Sequence, residues 1–159
     1  MKKILLPLVI LATLLSCGDG ERGFLDYRGL SMGMKASDMA DSLQKRGLTL
    51  DTVRTDSSHY VLTCQTEHYT VAIFQQNDTI SDILEQYRAS RNDSTTWLFQ
   101  KLHDQLQEEM HQLPYMKYRA DLHKEAVYDN KKGTVVLTLK NNNSPTLQVR
   151  YSTQTAHLK

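Results

Sequence analysis

Apolar side chains recur in this chain with two different periods, and the order in which those periods alternate limits the fold more than any other feature. Ala36, Met39, Ala40 and Leu43 fall at i, i+3, i+4 and i+7, one face of a helix. Asp38 sits in the first turn and Lys45 and Arg46 in the last, which suits the helix dipole, and Gly47 is placed to end the element. From His59 the period becomes two. His59 to Cys64, Tyr69 to Gln75 and Thr79 to Tyr87 are rich in β-branched and aromatic residues and predict three antiparallel strands, with Asn77 and Asp78 as a tight turn between the second and third. A second helical pattern starts at Ser94, where Leu98, Leu102, Leu106 and Met110 recur every four residues, Trp97, Phe99 and Leu113 widen the stripe, and Pro114 stops it. Strand-like runs return at Tyr115 to Tyr118, Glu125 to Tyr128, Thr134 to Lys140 and Leu147 to Thr153, the last two as a hairpin. The segment from Gly23 to Gly33 holds three glycines in eleven residues and reads as an irregular lead-in anchored by Phe24, Leu25 and Tyr27.

The two halves can be laid on each other. Val61, Val71 and Ile83 correspond to Val127, Val136 and Val149 at offsets of 66, 65 and 66, and the preceding helices shift by a similar amount. The predicted fold class is therefore α+β, a tandem αβββ repeat with half-repeats of approximately 34–87 and 94–153. It implies one antiparallel sheet with two helices on one face and the other face open. Chance likeness of two ordinary α+β halves is the alternative.

The start of the chain has a different logic. Lys2 and Lys3 precede an apolar run from Ile4 to Leu15, interrupted only by Pro7 and Thr13 and stopping at Ser16 and Cys17. Charged start, apolar core and small residue are the architecture of an export signal over residues 1–16. Its 12 apolar-run residues fall well short of a bilayer-spanning helix. Leu14, Leu15, Ser16 and Cys17 resemble the bacterial lipobox. That resemblance implies that Cys17 is acylated and becomes the new amino terminus, attaching the chain to the lipid bilayer by an effectively permanent anchor. An ordinary secretory signal with an incidental cysteine is the alternative, although it would prefer a small residue where Leu14 stands. Residues 17–23, glycine-rich with Asp19 and Glu21, are expected to be a flexible tether, and residues 24–159 a single domain. An acidic stretch after the acylated cysteine also resembles the signal that sends Bacteroidetes lipoproteins to the outer leaflet of the outer membrane.

Removal of the signal takes Lys2 and Lys3 with it, so 17 basic residues face 18 acidic ones and the mature charge is near minus one. No electrostatic case remains for nucleic acid, nor for strong attraction of the domain as a whole to anionic lipid. With Cys17 lipidated only Cys64 is left, so the core must hold without an internal disulfide. Cys64 lies in an alternating run with no activating partner nearby in sequence, which favours a buried small hydrophobe over a reactive thiol.

Tyr27, Arg28, Gly29, Leu30, Ser31, Met32 and Gly33, followed by a short amphipathic helix ending at Gly47, resemble the opening of uncharacterised Bacteroidetes lipoproteins with a β-lactamase-inhibitor-protein-like fold. Gly33, Met34 and the helix to Leu43 are also similar to the small lipoprotein of the outer-membrane barrel-assembly machinery. Both families use a helix-then-strands unit, and the inhibitor uses it twice in tandem. The resemblance covers most of residues 24–153 and implies a binding or scaffolding fold, with no inhibitory residues carried over to named positions.

Asp41 to Leu43, Asp51 to Val53, Asp78 to Ile80 and Asp93 to Thr95 resemble the O-glycosylation sequon of exported Bacteroidetes proteins, giving Thr52, Thr79 and Ser94 as candidate sites and Ser42, mid-helix, as the poorest. Turn and cap chemistry accounts for the same pairs. His103 and His111 lie eight apart on the second predicted helix, about two turns, too far to share one metal unaided. Glu108 and Glu109 are adjacent and diverge. No phosphate loop, nucleophile elbow or calcium loop is present in the sequence, so no catalytic residue, metal ligand or cofactor is assigned. Tyr60, Tyr69, Tyr87, Tyr128 and Tyr151 could form a recognition surface if exposed, or could be ordinary packing. Two expectations follow: a non-catalytic protein-binding module held in the cell envelope, with an envelope or extracellular protein partner, or a scaffolding lipoprotein supporting outer-membrane assembly.

Overall fold

The computed structural model describes residues 23–66, 68–118, 123–141 and 143–154. The export signal, Cys17 and the tether up to residue 22 lie outside the described residues. The elements are β1 (Asp26–Tyr27), β2 (Leu30–Ser31), α1 (Ala36–Lys45), β3 (Thr49–Leu50), β4 (His59–Cys64), β5 (Tyr69–Gln76), β6 (Thr79–Arg88), α2 (Asn92–Met110), β7 (Tyr115–Tyr118), β8 (His123–Asn130), β9 (Gly133–Lys140) and β10 (Thr146–Ser152). Strands β3 to β10 form one antiparallel sheet in the order β3-β4-β5-β6-β10-β9-β8-β7. The chain is thus α+β, with a large antiparallel sheet and two helices. Each helix precedes four strands rather than the three of the expected repeat unit: four runs follow the second helix in the sequence as well, whereas in the first half the two residues of β3 are too short to announce themselves by alternation.

Hydrophobic alternation sorts the sheet into two faces. Leu62 on β4, Val71 and Ile73 on β5, Ile83 on β6, Leu147 and Val149 on β10, and Leu137 and Leu139 on β9 share one parity by register and are buried. On that face α1 packs over β3, β4 and β5, and α2 over β8, β9 and β10. A bulge opposite Phe74 and Gln75 leaves Ser81 out of register, so Ile80 and Ile83 both reach the core although an uninterrupted period of two would send them to opposite faces. Parity also removes one of the three expected pairings between the halves. Val71 faces the helices and Val136 the other side, so an offset of 65 matches residues of opposite face.

The helices follow their patterns with one correction. The buried side of α2 runs through Thr95, Phe99 and Leu106, with Leu102 and Met110 partly buried behind them. Trp97, two residues from Phe99, points some 200° away and is 65 % exposed; Leu113, beyond the helix end, is 79 % exposed. Neither belongs to the core stripe. Cys64 is half-buried on the core side of β4, with Sγ 3.3 Å from the Thr66 hydroxyl. Both helix starts are held by distant turns. Asp78, in the β5–β6 turn, accepts from the Ser37 backbone N–H and hydroxyl (both 3.0 Å), while its carbonyl accepts from Ala36 N–H (3.0 Å). After β9, Asn141 accepts from the Thr95 hydroxyl and donates to Thr96 Oγ1 (both 3.0 Å). Asn77 and Asp78 carry φ of 53° and 60°, the two positive angles of the hairpin turn that joins twisted strands best.

Candidate functional site

The segment from Gly23 to Gly33, expected to be irregular, contains the hairpin β1–β2, and this hairpin builds the main polar cluster of the molecule. Arg28 and Gly29 form its tip, both with positive φ. Met32 N–H donates to Leu25 O at 2.9 Å behind it. The tip lies between the end of α1, where Arg46, just past the helix, donates Nη1 to Arg28 O at 2.7 Å, and the last turn of α2, which shares a groove of about 570 Å³ with Leu25, Asp26 and Arg28. Beneath it is the core face of β6, where Glu85 is 3 % exposed.

A carboxylate at that depth must be paired and hydrogen-bonded. Glu85 Oε1 accepts from the Tyr27 hydroxyl at 2.5 Å and from Arg28 Nε and Nη2, both at 2.8 Å; Oε2 accepts from the Tyr87 hydroxyl at 3.0 Å. Arg28 also donates to the hydroxyls of Tyr69 (Nη1, 2.8 Å) and Tyr87 (Nη2, 3.2 Å) and lies over the Tyr69 ring. Burial acts to lower Arg28, but Glu85 and the surrounding phenols outweigh it and hold the guanidinium well above its ordinary value. Burial, then the Glu85 charge, pushes Tyr27, Tyr87 and Tyr151 well above the usual phenol range. Tyr128, raised by burial and then by Asp104, is pushed up to about 12. Both carboxylate oxygens and the three donor-bearing nitrogens of Arg28 are therefore used inside the protein. The cluster fastens the hairpin to the sheet.

The five strand tyrosines, open in the sequence between a recognition surface and ordinary packing, are packing residues. Tyr69 and Tyr128 are buried, and Tyr60, Tyr87 and Tyr151 pack against the core on the helix side, because all five share the parity of the core residues. The opposite face carries a groove. There Phe74 pairs with Asp82 across β5–β6, Leu84 with Arg150 across β6–β10, and Arg150 with Val136 across β10–β9. These residues, with Glu125, Thr138 and Gln148, line a groove of about 730 Å³. Its floor is apolar, from Phe74, Leu84 and Val136. One wall carries Arg150, whose Nε and Nη2 reach Asp82 Oδ1 at 2.9 and 2.8 Å while the side chain remains 61 % exposed. Gln75 donates its amide to Ser57 O at 3.2 Å, and its buried Oε1 has no hydrogen-bond partner among the described residues. Alternation alone marks Leu84 and Val136 as apolar residues on the polar parity, a signal that was legible and missed.

The sequence-predicted sites are scattered. Thr52 is exposed in the turn after β3, where Asp51 accepts from the N–H groups of Val53 and Arg54 and from Arg54 Nε (2.6 Å); the Arg54 side chain chiefly holds that carboxyl below its usual range. Thr79 is exposed beside Asp78, which caps α1, and Ser94 is exposed beside Asp93, paired with Arg91 at 3.2 Å. Ser42 donates to Asp38 O at 2.7 Å along α1. Turn and cap chemistry thus occupies Asp51 and Asp78, while the hydroxyl-bearing Thr52, Thr79 and Ser94 are exposed. His103 packs against Phe99 and Tyr128, and His111 ends α2 in the left-handed conformation. No group of three His, Cys, Asp or Glu side chains among the described residues could hold a metal, and no described helix is long and apolar enough to cross a membrane.

Two outcomes test the cluster. Arg28→Ala leaves Glu85 without its cation and is expected to cost about 2–3 kcal/mol, below a fully buried pair because water can reach the vacated site, whereas Tyr87→Phe should cost about 1 kcal/mol; urea unfolding measures both. A raised phenol pKa stabilises the fold in full below the unfolded value near 10, and the contribution is lost as pH rises through the folded value. At pH 11 the folded protein should therefore show, at 295 nm, well under the tyrosinate absorbance of its eight tyrosines, with the remainder appearing on unfolding; full absorbance in the native state would contradict the burial of the hairpin.

No protein-family model, curated protein or solved structure matches the chain.

Proposed function

We propose that this chain is a lipoprotein of the bacterial cell envelope, anchored through acylated Cys17 in the outer membrane, whose domain is a non-catalytic protein-binding module. The observation that carries the binding reading is the groove on the uncovered sheet face. It crosses β5, β6, β10, β9 and β8, about 19 Å at the usual strand spacing, a shape better suited to an extended polypeptide than to a compact small molecule. The fitting partner segment carries an apolar side chain for the Phe74–Leu84–Val136 floor and a carboxylate for Arg150, which projects into solvent although its inner nitrogens hold Asp82.

The tandem repeat and the resemblance to β-lactamase-inhibitor-protein-like lipoproteins belong to the same proposal. They are supported by the helix followed by strands in each half, by the strand order running inward to β6 and back outward from β10, and by the caps. Asp78 and Asn141 occupy corresponding turns, and each ties down the first turn of the helix in its own half. The hairpin β1–β2 precedes the first half.

A photo-crosslinking residue at Leu84, compared with one at Gln44 on exposed α1, tests the groove in intact cells. A discrete adduct is expected from position 84 alone, reduced at least about tenfold by R150E. Equal capture from both positions would overturn the proposal. An outer-membrane barrel protein as the adduct would favour the scaffolding role, and a soluble or extracellular protein the recognition role.

A further inference from the structure

The end of the domain from which the chain leads back to Cys17 carries features that the groove does not use. Gly23 lies against the Lys132 side chain in the β8–β9 turn. Gln112, just beyond α2, donates to Asp129 O at 3.0 Å near the end of β8, placing Leu113 beside that turn. The Phe24 ring packs on Gly33, and Lys35 bridges to Thr79 at the β5–β6 turn. One end of the sheet thus presents two exposed apolar side chains, Phe24 (48 %) and Leu113 (79 %), together with the exposed ammonium groups of Lys35, Lys131 and Lys132. Of the neighbouring carboxylates, Asp78 and Asp129 are turned inward, onto Ser37 and Thr134, while exposed Asp26 and Glu109 line the groove that Lys132 borders.

We infer that this end of the domain rests on the bilayer surface, with Phe24 and Leu113 at the headgroup boundary and the three lysines against lipid phosphates. The inference rests on the lipoprotein reading. Five residues, 18–22, separate the lipidated Cys17 from Gly23, and the chain between the two reaches only about 20 Å at full extension. Such a tether keeps this end, rather than the opposite one, within touching distance of the lipid. Apolar side chains ringed by lysines are the chemistry that settles at an anionic headgroup layer. The groove then opens sideways along the membrane, and Trp97, near the start of α2, stands clear of it. Sixteen residues of chain, mostly helical at 1.5 Å each, put Trp97 about 20 Å farther from the lipid than Leu113.

Trp97 is the single tryptophan, which gives the test. The full lipoprotein, purified from membranes and shown by mass spectrometry to carry acyl chains on Cys17, is reconstituted in phosphatidylethanolamine–phosphatidylglycerol vesicles brominated close to the headgroups. Emission of the L113W/W97F protein should fall at least about twofold relative to unbrominated vesicles, while native Trp97 emission is unchanged. F24W/W97F serves as the second probe and should be quenched likewise, and K131E/K132E added to either should relieve quenching. Equal quenching of Trp97, or no quenching at either new position in acylated, vesicle-bound protein, would overturn the orientation while leaving the anchor intact. Absence of acyl chains on Cys17 would overturn the anchor and the orientation together.

Discussion

A carboxylate buried at the middle of the sheet sets the terms for the rest of the molecule. Glu85 faces the core from β6, the strand over which neither helix is centred, since α1 covers β3 to β5 and α2 covers β8 to β10. An ion left there without partners would cost several kcal/mol. The hairpin β1–β2 meets the demand by bringing the Tyr27 hydroxyl and the Arg28 guanidinium to one oxygen, while Tyr87 serves the other. In doing so it fills the space between the helices and fixes the end of the sheet at which the chain begins its path toward Cys17.

The same covering of one face defines the other. Once hairpin and helices have claimed the parity of Val71, Ile83 and Val149, the opposite parity is left to Phe74, Leu84, Val136 and Arg150. Two of these neighbours, Leu84 and Arg150, meet on β6 and β10, the strands that join the two halves of the sheet. The bulge at Ser81 lies beside the groove, and it lets Ile80 and Ile83 both enter the core while Asp82 stays on the open side to hold Arg150. Core and groove are therefore two outcomes of one register. The polar cluster on the covered face is saturated by its own members.

Much of this was legible in the sequence, and the lapses have physical causes. Seven strand runs and both helices follow from period alone, because each long element buries one continuous face. β3 escaped because two residues carry no period. The lead-in reads as irregular because its glycines signal turns, and a hairpin of two-residue strands is nearly all turn; its role depends on Glu85, 57 residues away from Arg28. Glu85 itself was detectable as a charge on the parity of Ile83 and Tyr87. The tyrosines were left open between surface and core because aromatic strand residues suit either, and only the register decides. Trp97 and Leu113 were drawn into the helical stripe by their apolarity, although spacing from Phe99 and the helix stop at Pro114 argue against both.

Cysteine accessibility along the two central strands tests the division into a covered and an open face most directly. In a C64A background, single cysteines at Leu84, Gln148 and Arg150 should react rapidly with a maleimide in the native protein. Those at Ile83, Leu147 and Val149 should react only as fast as the domain unfolds. Alternation of this kind along both β6 and β10 is the result the account predicts. Equal reactivity on both parities, or protection at Leu84, Gln148 and Arg150 with exposure at their neighbours, would contradict it.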